Sequence, residues 1–178
     1  MSEPTAPDAA PSPAAAPAPA PAPDPALLAL REEVGRVLGA AATPDPASGV
    51  PAWRIDAAGV TDAARRLRAA GFDYLLFVTA VDRPAEAKFE VTYLITRFDD
   101  GRQLALVADI SREAPAIDTV SGVWAGADWH ERETFDMFGI VFRGHPYLRR
   151  ILLDEDWPGH PLRKDYVDTL HEVVKRPY

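Results

Sequence analysis

Cysteine is absent from all 178 residues. Disulfides, thiolate nucleophiles, iron–sulfur ligation and cysteine-type zinc sites are therefore excluded. If the protein serves redox chemistry, its electrons travel on cofactors held by other chains. Nucleotide loops are missing too: no Gly-x-Gly-x-x-Gly follows a candidate strand, and no Walker-type loop is present. Gly-x-Ser-x-Gly is also absent, so Ser121 before Gly122 reads as a helix interruption rather than a nucleophile. No apolar run approaches the roughly 20 residues needed to span a bilayer. The N-terminus lacks a basic region ahead of its proline-interrupted apolar residues, which argues against a secretory signal. Lys and Arg number 19 against 27 Asp and Glu, a net charge of −8. That balance disfavours nucleic acid and direct adhesion to an anionic membrane. The composition predicts a soluble, cytoplasmic chain that reaches a membrane only through partners.

What is present divides into three stretches. Residues 1–25 hold nine of the 18 prolines, interleaved with alanine, and no Lys or Arg. Such a leader favours polyproline II and cannot build a core, so it is predicted disordered, a tether or a dispensable extension. Residues 27–138 carry the periodic patterns. Asp24 and Pro25 resemble an N-cap and first-turn proline, and Leu27, Leu28, Leu30, Val34, Val37 and Leu38 recur at helical spacing up to Gly39. Residues 43–51 are predicted to be a linker, 53–56 a short strand, and 61–70 an amphipathic helix stopped by Gly71. The near-continuous apolar run at 74–81 predicts a strand covered on both faces. Residues 89–98 alternate, with Phe89, Val91, Tyr93 and Ile95 on one side, and 103–110 follow the Asp99-Asp100-Gly101 turn. Short connections predict an antiparallel meander. A helix is expected over 116–138, broken near Gly122 or Gly126. The sum is an α+β domain with helices on one face of a mostly antiparallel sheet. From 139 to 178 the patterning fades among glycines and prolines, which predicts an extended segment that orders on another protein's surface.

The histidines, His130, His145, His160 and His171, all lie in the last third of the chain with acids around them. A metal centre needs three or four converging ligands. The first three histidines are spaced fifteen apart across glycines and prolines, with no His-x-x-x-His pair. His145 and His160 share the tripeptide Gly-His-Pro, at Gly144–Pro146 and Gly159–Pro161, which suggests loops tied by their own imidazoles. A metal-dependent hydrolase built on His130, Glu133, His145 and His160 is the enzyme alternative. Arg132 and Asp136 stand four apart and Glu133 and Asp136 three apart, so they share a helix side. Either that side is a solvated helix face, or its surplus negative charge meets a partner's Lys or Arg. Phe135 and Phe138 suit a core, and Gly139 suits a helix cap. Arg149-Arg150 and Arg163-Lys164 flank the acidic run Asp154-Glu155-Asp156. Alternating blocks of this kind suit a patterned partner or simple solubilising charge.

Taken in order, Glu131-Arg132-Glu133, Asp136-Met137-Phe138-Gly139-Ile140, Phe142, Gly144-His145-Pro146, Leu148-Arg149-Arg150-Ile151-Leu152 and Gly159-His160-Pro161-Leu162-Arg163-Lys164-Asp165-Tyr166 strongly resemble the signature of the C subunit of bacterial NADH–quinone oxidoreductase, respiratory complex I. Tyr147 departs from it, standing where the family commonly has Asp or Asn, and the leader is no shared feature. The resemblance implies a non-catalytic subunit of the peripheral arm, beside the D subunit and near the iron–sulfur-bearing B subunit. It would lie on the cytoplasmic side of the inner membrane. FMN, iron–sulfur clusters and quinone would belong to partners, with electrons passing from NADH to quinone and driving proton translocation. Related subunits serve membrane-bound hydrogenases, formate hydrogenlyase and F420H2 dehydrogenase. On this reading the signature residues of 131–166 meet partner subunits: the acids and Arg132 as a docking charge network, the two basic pairs against partner acids.

Overall fold

The computed structural model describes residues 25–45 and 50–168. The proline-rich leader, the centre of the expected linker, and the last ten residues with His171 lie outside them.

Helix α1 (Pro25–Leu38) buries Leu30, Val34 and Leu38, one per turn, and ends at Gly39, whose φ is +66°. Strands β1 (Ala42–Asp45) and β2 (Ala52–Ile55) pair antiparallel. The first of them falls in the stretch expected to be linker. Its four residues form a strand because β2 supplies the ladder, which propensity cannot reveal. Helix α2 (Val60–Ala69) buries Val60, Ala63, Ala64 and Leu67 and stops before Gly71 at φ +90°.

Strands β3 (Tyr74–Arg83), β4 (Lys88–Thr96) and β5 (Gln103–Ser111) form the expected antiparallel meander. The whole sheet runs β1-β2-β5-β4-β3 and is mixed, since β2 lies parallel to β5. On its inner face Phe89, Val91, Tyr93 and Ile95 pack with Leu104, Leu106, Ala108 and Ile110 and with the apolar sides of α1 and α2. Its outer face carries Arg54, which bridges Asp45, Glu90 and Asp109 at 2.8–3.1 Å. The cation is needed there because Glu90 and Asp109 sit directly opposite one another on β4 and β5.

β3 departs from expectation. It is an edge strand, and Phe77 and Val81 are 38% and 37% exposed rather than covered. Its free edge is instead shielded by helix α3 (Ala127–Phe138): the Thr134 hydroxyl donates to the Val78 carbonyl at 3.2 Å. The helix expected from 116 is shorter than the pattern suggested. Ala116–Asp118 forms strand β6, which pairs in parallel with β7 (Val141–Arg143). Beyond Phe138 the chain therefore does not leave the fold.

Candidate docking site on the third helix and the segment after it

The buried side of α3 is polar: Glu131, Arg132, Thr134 and Asp136 are all inside. Charges taken from water need close partners.

Asp136 is the hub. Its Oδ2 accepts the backbone N–H groups of Ile151, Leu152 and Leu153 at 3.1, 2.8 and 3.0 Å, and its Oδ1 accepts from Arg150 Nη1 at 2.9 Å. Burial pushes this carboxyl's pKa up, but those donors outweigh it and hold the group below the usual range. Arg150 also donates to the Trp157 and Gly159 carbonyls. One ion pair thus shapes a stretch that has no regular secondary structure.

The end of α3 leaves three carbonyls free, and residues 160–163 take all of them. His160 Nδ1 donates to the Asp136 carbonyl at 2.9 Å, Leu162 N to Met137 at 3.1 Å, and Arg163 Nε to Phe138 at 2.6 Å. A carbonyl only accepts, so the His160 proton sits on Nδ1, and burial lowers the ring's pKa. A guanidinium at a helix C-terminus also complements the dipole. Gly139, at φ +73°, leaves no room for a side chain: a Cβ would clash with His160 Nε2 and stand 2.6 Å from its Cδ2 and 2.8 Å from Arg163 Nη2.

At the helix's other end, His145 Nδ1 accepts from the Tyr147 N–H at 3.0 Å. The proton must then be on Nε2, which faces Asp128 Oδ1 at 3.0 Å and Glu131 at 3.9 Å. Glu131 accepts from Val120 N at 2.7 Å and from the Thr119 hydroxyl. Burial nonetheless raises its pKa to about 7. It is an interior group, not an outward charge.

Of the expected partner residues, Glu131, Asp136, His145, Arg150, His160, Arg163 and Asp165 thus make polar contacts within the chain. Phe138 packs edge-on against Phe89 at 6.0 Å. Gly144 and Gly159 supply turns at φ +79° and +78°, and Tyr166 folds over Gly159 while its hydroxyl takes the Trp157 indole N–H at 3.0 Å. Glu133, Pro146, Arg149, Leu162 and Lys164 are exposed, and Pro161 is half-buried. The hydrolase set is not assembled. His130 and Glu133 line a cleft of about 350 Å³ beside Phe77. His145 and His160 instead serve opposite ends of α3, eight residues or about 12 Å apart along the axis. Among the described residues no group of three or more His, Asp or Glu is placed to hold a metal, and no helix is long and apolar enough to cross a membrane.

Sequence reasoning missed a second anchor. Buried Asp82 binds Arg112 Nε at 2.8 Å and the Lys164 N–H at 2.9 Å, and Arg112 also reaches Asp165. The available signal was parity: Asp82 continues the inward alternation of Val78 and Ala80 and pairs opposite buried Phe89. An acid at a core-facing strand position requires a cation.

Comparison with known proteins gives the geometry its context. Residues 53–172 match the family described as respiratory-chain NADH dehydrogenase, 30 Kd subunit. The C subunit of the NADH-quinone oxidoreductase of a Roseiflexus species (strain RS-1) is 42% identical over 144 residues, covering 75% of this chain and 83% of the relative. That of Roseiflexus castenholzii is 49% identical over 89 residues, 50% of this chain and 51% of the relative. Among solved structures, the trypsin-resistant fragment (1-134) of Nqo5 superposes with a TM-score of 0.59 at 25% identity, covering 67% of this chain and 98% of the fragment. A chain of the membrane-bound sulfane sulfur reductase, an archaeal respiratory membrane complex, does so with 0.71 at 24% identity, over 84% and 95%; that likeness concerns the fold. With the signature residues in one continuous match, the chain belongs to the family of the 30 Kd subunit of respiratory-chain NADH dehydrogenase, whose bacterial relatives are named as the C subunit of NADH-quinone oxidoreductase.

Proposed function

We propose that the chain is a structural, non-catalytic subunit of the peripheral arm of a proton-translocating NADH–quinone oxidoreductase. It docks beside the D and B subunits on the cytoplasmic face of the inner membrane. Flavin, iron–sulfur clusters and quinone are held by partners, in keeping with a chain that offers no thiolate. One observation carries the reading. The charges of the signature are used to weld residues 144–166 onto α3, so the segment forms a rigid platform rather than a reaction centre. A platform with fixed shape loses little entropy on docking.

The test is to purify the tagged full chain from membrane extract and identify what accompanies it. NADH-oxidising flavoprotein, D and B subunits are expected. Their absence, or stoichiometric metal or flavin on the chain alone, defeats the proposal. A set of partners without the flavoprotein would point to a hydrogenase-type or F420H2-dependent complex of related architecture.

A further inference from the structure

Of the four arginines of the signature, Arg150 pairs with Asp136 and Arg163 caps the Phe138 carbonyl, while Arg132 and Arg149 meet aromatic rings instead. Arg132 is 8% exposed, and its guanidinium lies 5.1 Å from the Trp129 ring centre and 5.6 Å from that of Tyr147. Arg149 covers the same Tyr147 ring at 4.1 Å. The four side chains form a ladder, Trp129–Arg132–Tyr147–Arg149, whose aromatic members are 62% and 52% exposed. Nearby acids face other groups: Asp136 binds Arg150, Glu131 accepts from Val120 and Thr119, Asp128 Oδ1 lies 3.0 Å from His145 Nε2, and Glu133 is exposed. Among the described residues neither Arg132 nor Arg149 has a carboxylate within 4.0 Å, and neither has a side-chain hydrogen bond or ring contact beyond those just given and the Arg132 Nε bond to the Arg149 carbonyl.

The Arg132 guanidinium is within cation–π reach of both rings, which leaves its N–H groups to be satisfied. Here Nε is spent on the Arg149 carbonyl at 3.2 Å, which fixes the plane. The Nη atoms are not among the sealed, unpartnered polar atoms of the fold, so they reach the surface. A fork held in this way matches the two oxygens of a carboxylate. Exposed Trp and Tyr around an immobilised Arg is also the composition on which interfaces concentrate their affinity.

We infer that the Trp129–Arg132–Tyr147–Arg149 ladder is a seat for an Asp or Glu side chain of a partner subunit. This deepens the docking reading and rests on it. A protein carboxylate fits better than a phosphate or a lipid headgroup. The planar fork matches the two oxygens of a carboxylate, and a net charge of −8 disfavours contact with an anionic bilayer. The flanking rings then cover the ion pair and keep water from it. Tyr147, the residue that departs from the family's common small polar side chain, supplies the middle rung.

The test compares tagged wild-type, Arg132→Lys, Arg149→Gln and Tyr147→Ala chains purified from membrane extract. Each isolated chain is also melted, to check that the fold is kept. Arg132→Lys retains the charge but not the fork, and Arg149→Gln alters an exposed side chain only. The expected result is co-purified partner reduced at least about thirtyfold for the two arginine variants, with an unshifted melting curve for Arg149→Gln, whose side chain is exposed. A photo-crosslinker at position 147 of the complex should capture a partner peptide containing Asp or Glu, and neutralising that acid should reproduce the loss. If wild type brings down no other subunit, the docking reading itself fails. If wild type does so and the arginine variants match it, or the crosslinked peptide lacks an acid, the seat is refuted. Binding of the free chain to phosphatidylglycerol vesicles that Arg149→Gln abolishes would equally overturn it in favour of a headgroup site.

Discussion

Under β2, β5 and β4 the interior is made of hydrocarbon: Trp53, Leu104, Leu106, Val91 and Ile95 belong to one buried cluster and need no particular partner. Around α3 the interior is made of charge, with Asp136, Asp82 and Glu131 each held by donors from distant parts of the chain. Apolar burial is non-directional and forgiving of small errors. Hydrogen-bonded charge is directional, and losing one partner leaves the other stranded. The first half therefore holds the fold together, while the second sets the shape of the surface at 144–166.

The largest expected effect separates the halves. Asp136→Ala strands Arg150 and the three N–H groups of 151–153, at a cost of roughly 3–5 kcal/mol. Amide exchange should accelerate across 144–166 while β4 and β5 keep their protection. Simultaneous loss in β4 would mean that the two halves are one cooperative unit. Leu106→Ala is the converse change, costing about 2–5 kcal/mol. It should lower the protection of every strand and the urea midpoint of the whole chain.

Acidity sharpens the contrast next. Glu131 keeps its proton up to about pH 7 in the fold but only to about 4.5 when unfolded. Its contribution to stability is present below pH 4.5 and is lost as the pH rises from 4.5 to about 7, by at most about 3 kcal/mol. The stability of Glu131→Gln relative to wild type should therefore rise between pH 4.5 and 8, as read from urea midpoints. A flat difference would show that the carboxyl ionises normally. Asp136, held below the usual range, behaves oppositely and withdraws its support only in acid.

The smallest effect compares two glycines of similar φ. Gly101 at +68° has open space around it, whereas Gly139 at +73° lies under His160. Gly101→Ala should cost about 1 kcal/mol of backbone strain, and Gly139→Ala about 1–3 kcal/mol because His160 must also move. Equal thermal shifts for the two variants would show that the His160 contact is worth nothing.

The same division governs what could be read in advance. The Phe89–Val91–Tyr93–Ile95 alternation, the helical rows of α1 and α2 and the stops at Gly39, Gly71 and Gly139 are local patterns, and each element stands where its pattern put it. The strand at 42–45 and the strand at 116–118 were not legible, because three or four residues become a strand only when a partner far along the chain lies beside them. The site divides likewise. The Gly-His-Pro loops and the signature charges were visible, but their targets were not. That Arg150 reaches Asp136 and Arg163 the Phe138 carbonyl could not be read from the order of residues.

By itself the sequence determined that this chain offers no cysteine ligand, that its middle is an α+β domain and which charged residues the signature holds, since composition and period depend only on residue order. Which charge meets which was decided by tertiary structure alone. Fourteen residues separate Asp136 from Arg150, and only the fold makes them neighbours and leaves Arg132 and Arg149 without an acid. Pairing depends on distance in space, and no property of the linear chain encodes that directly.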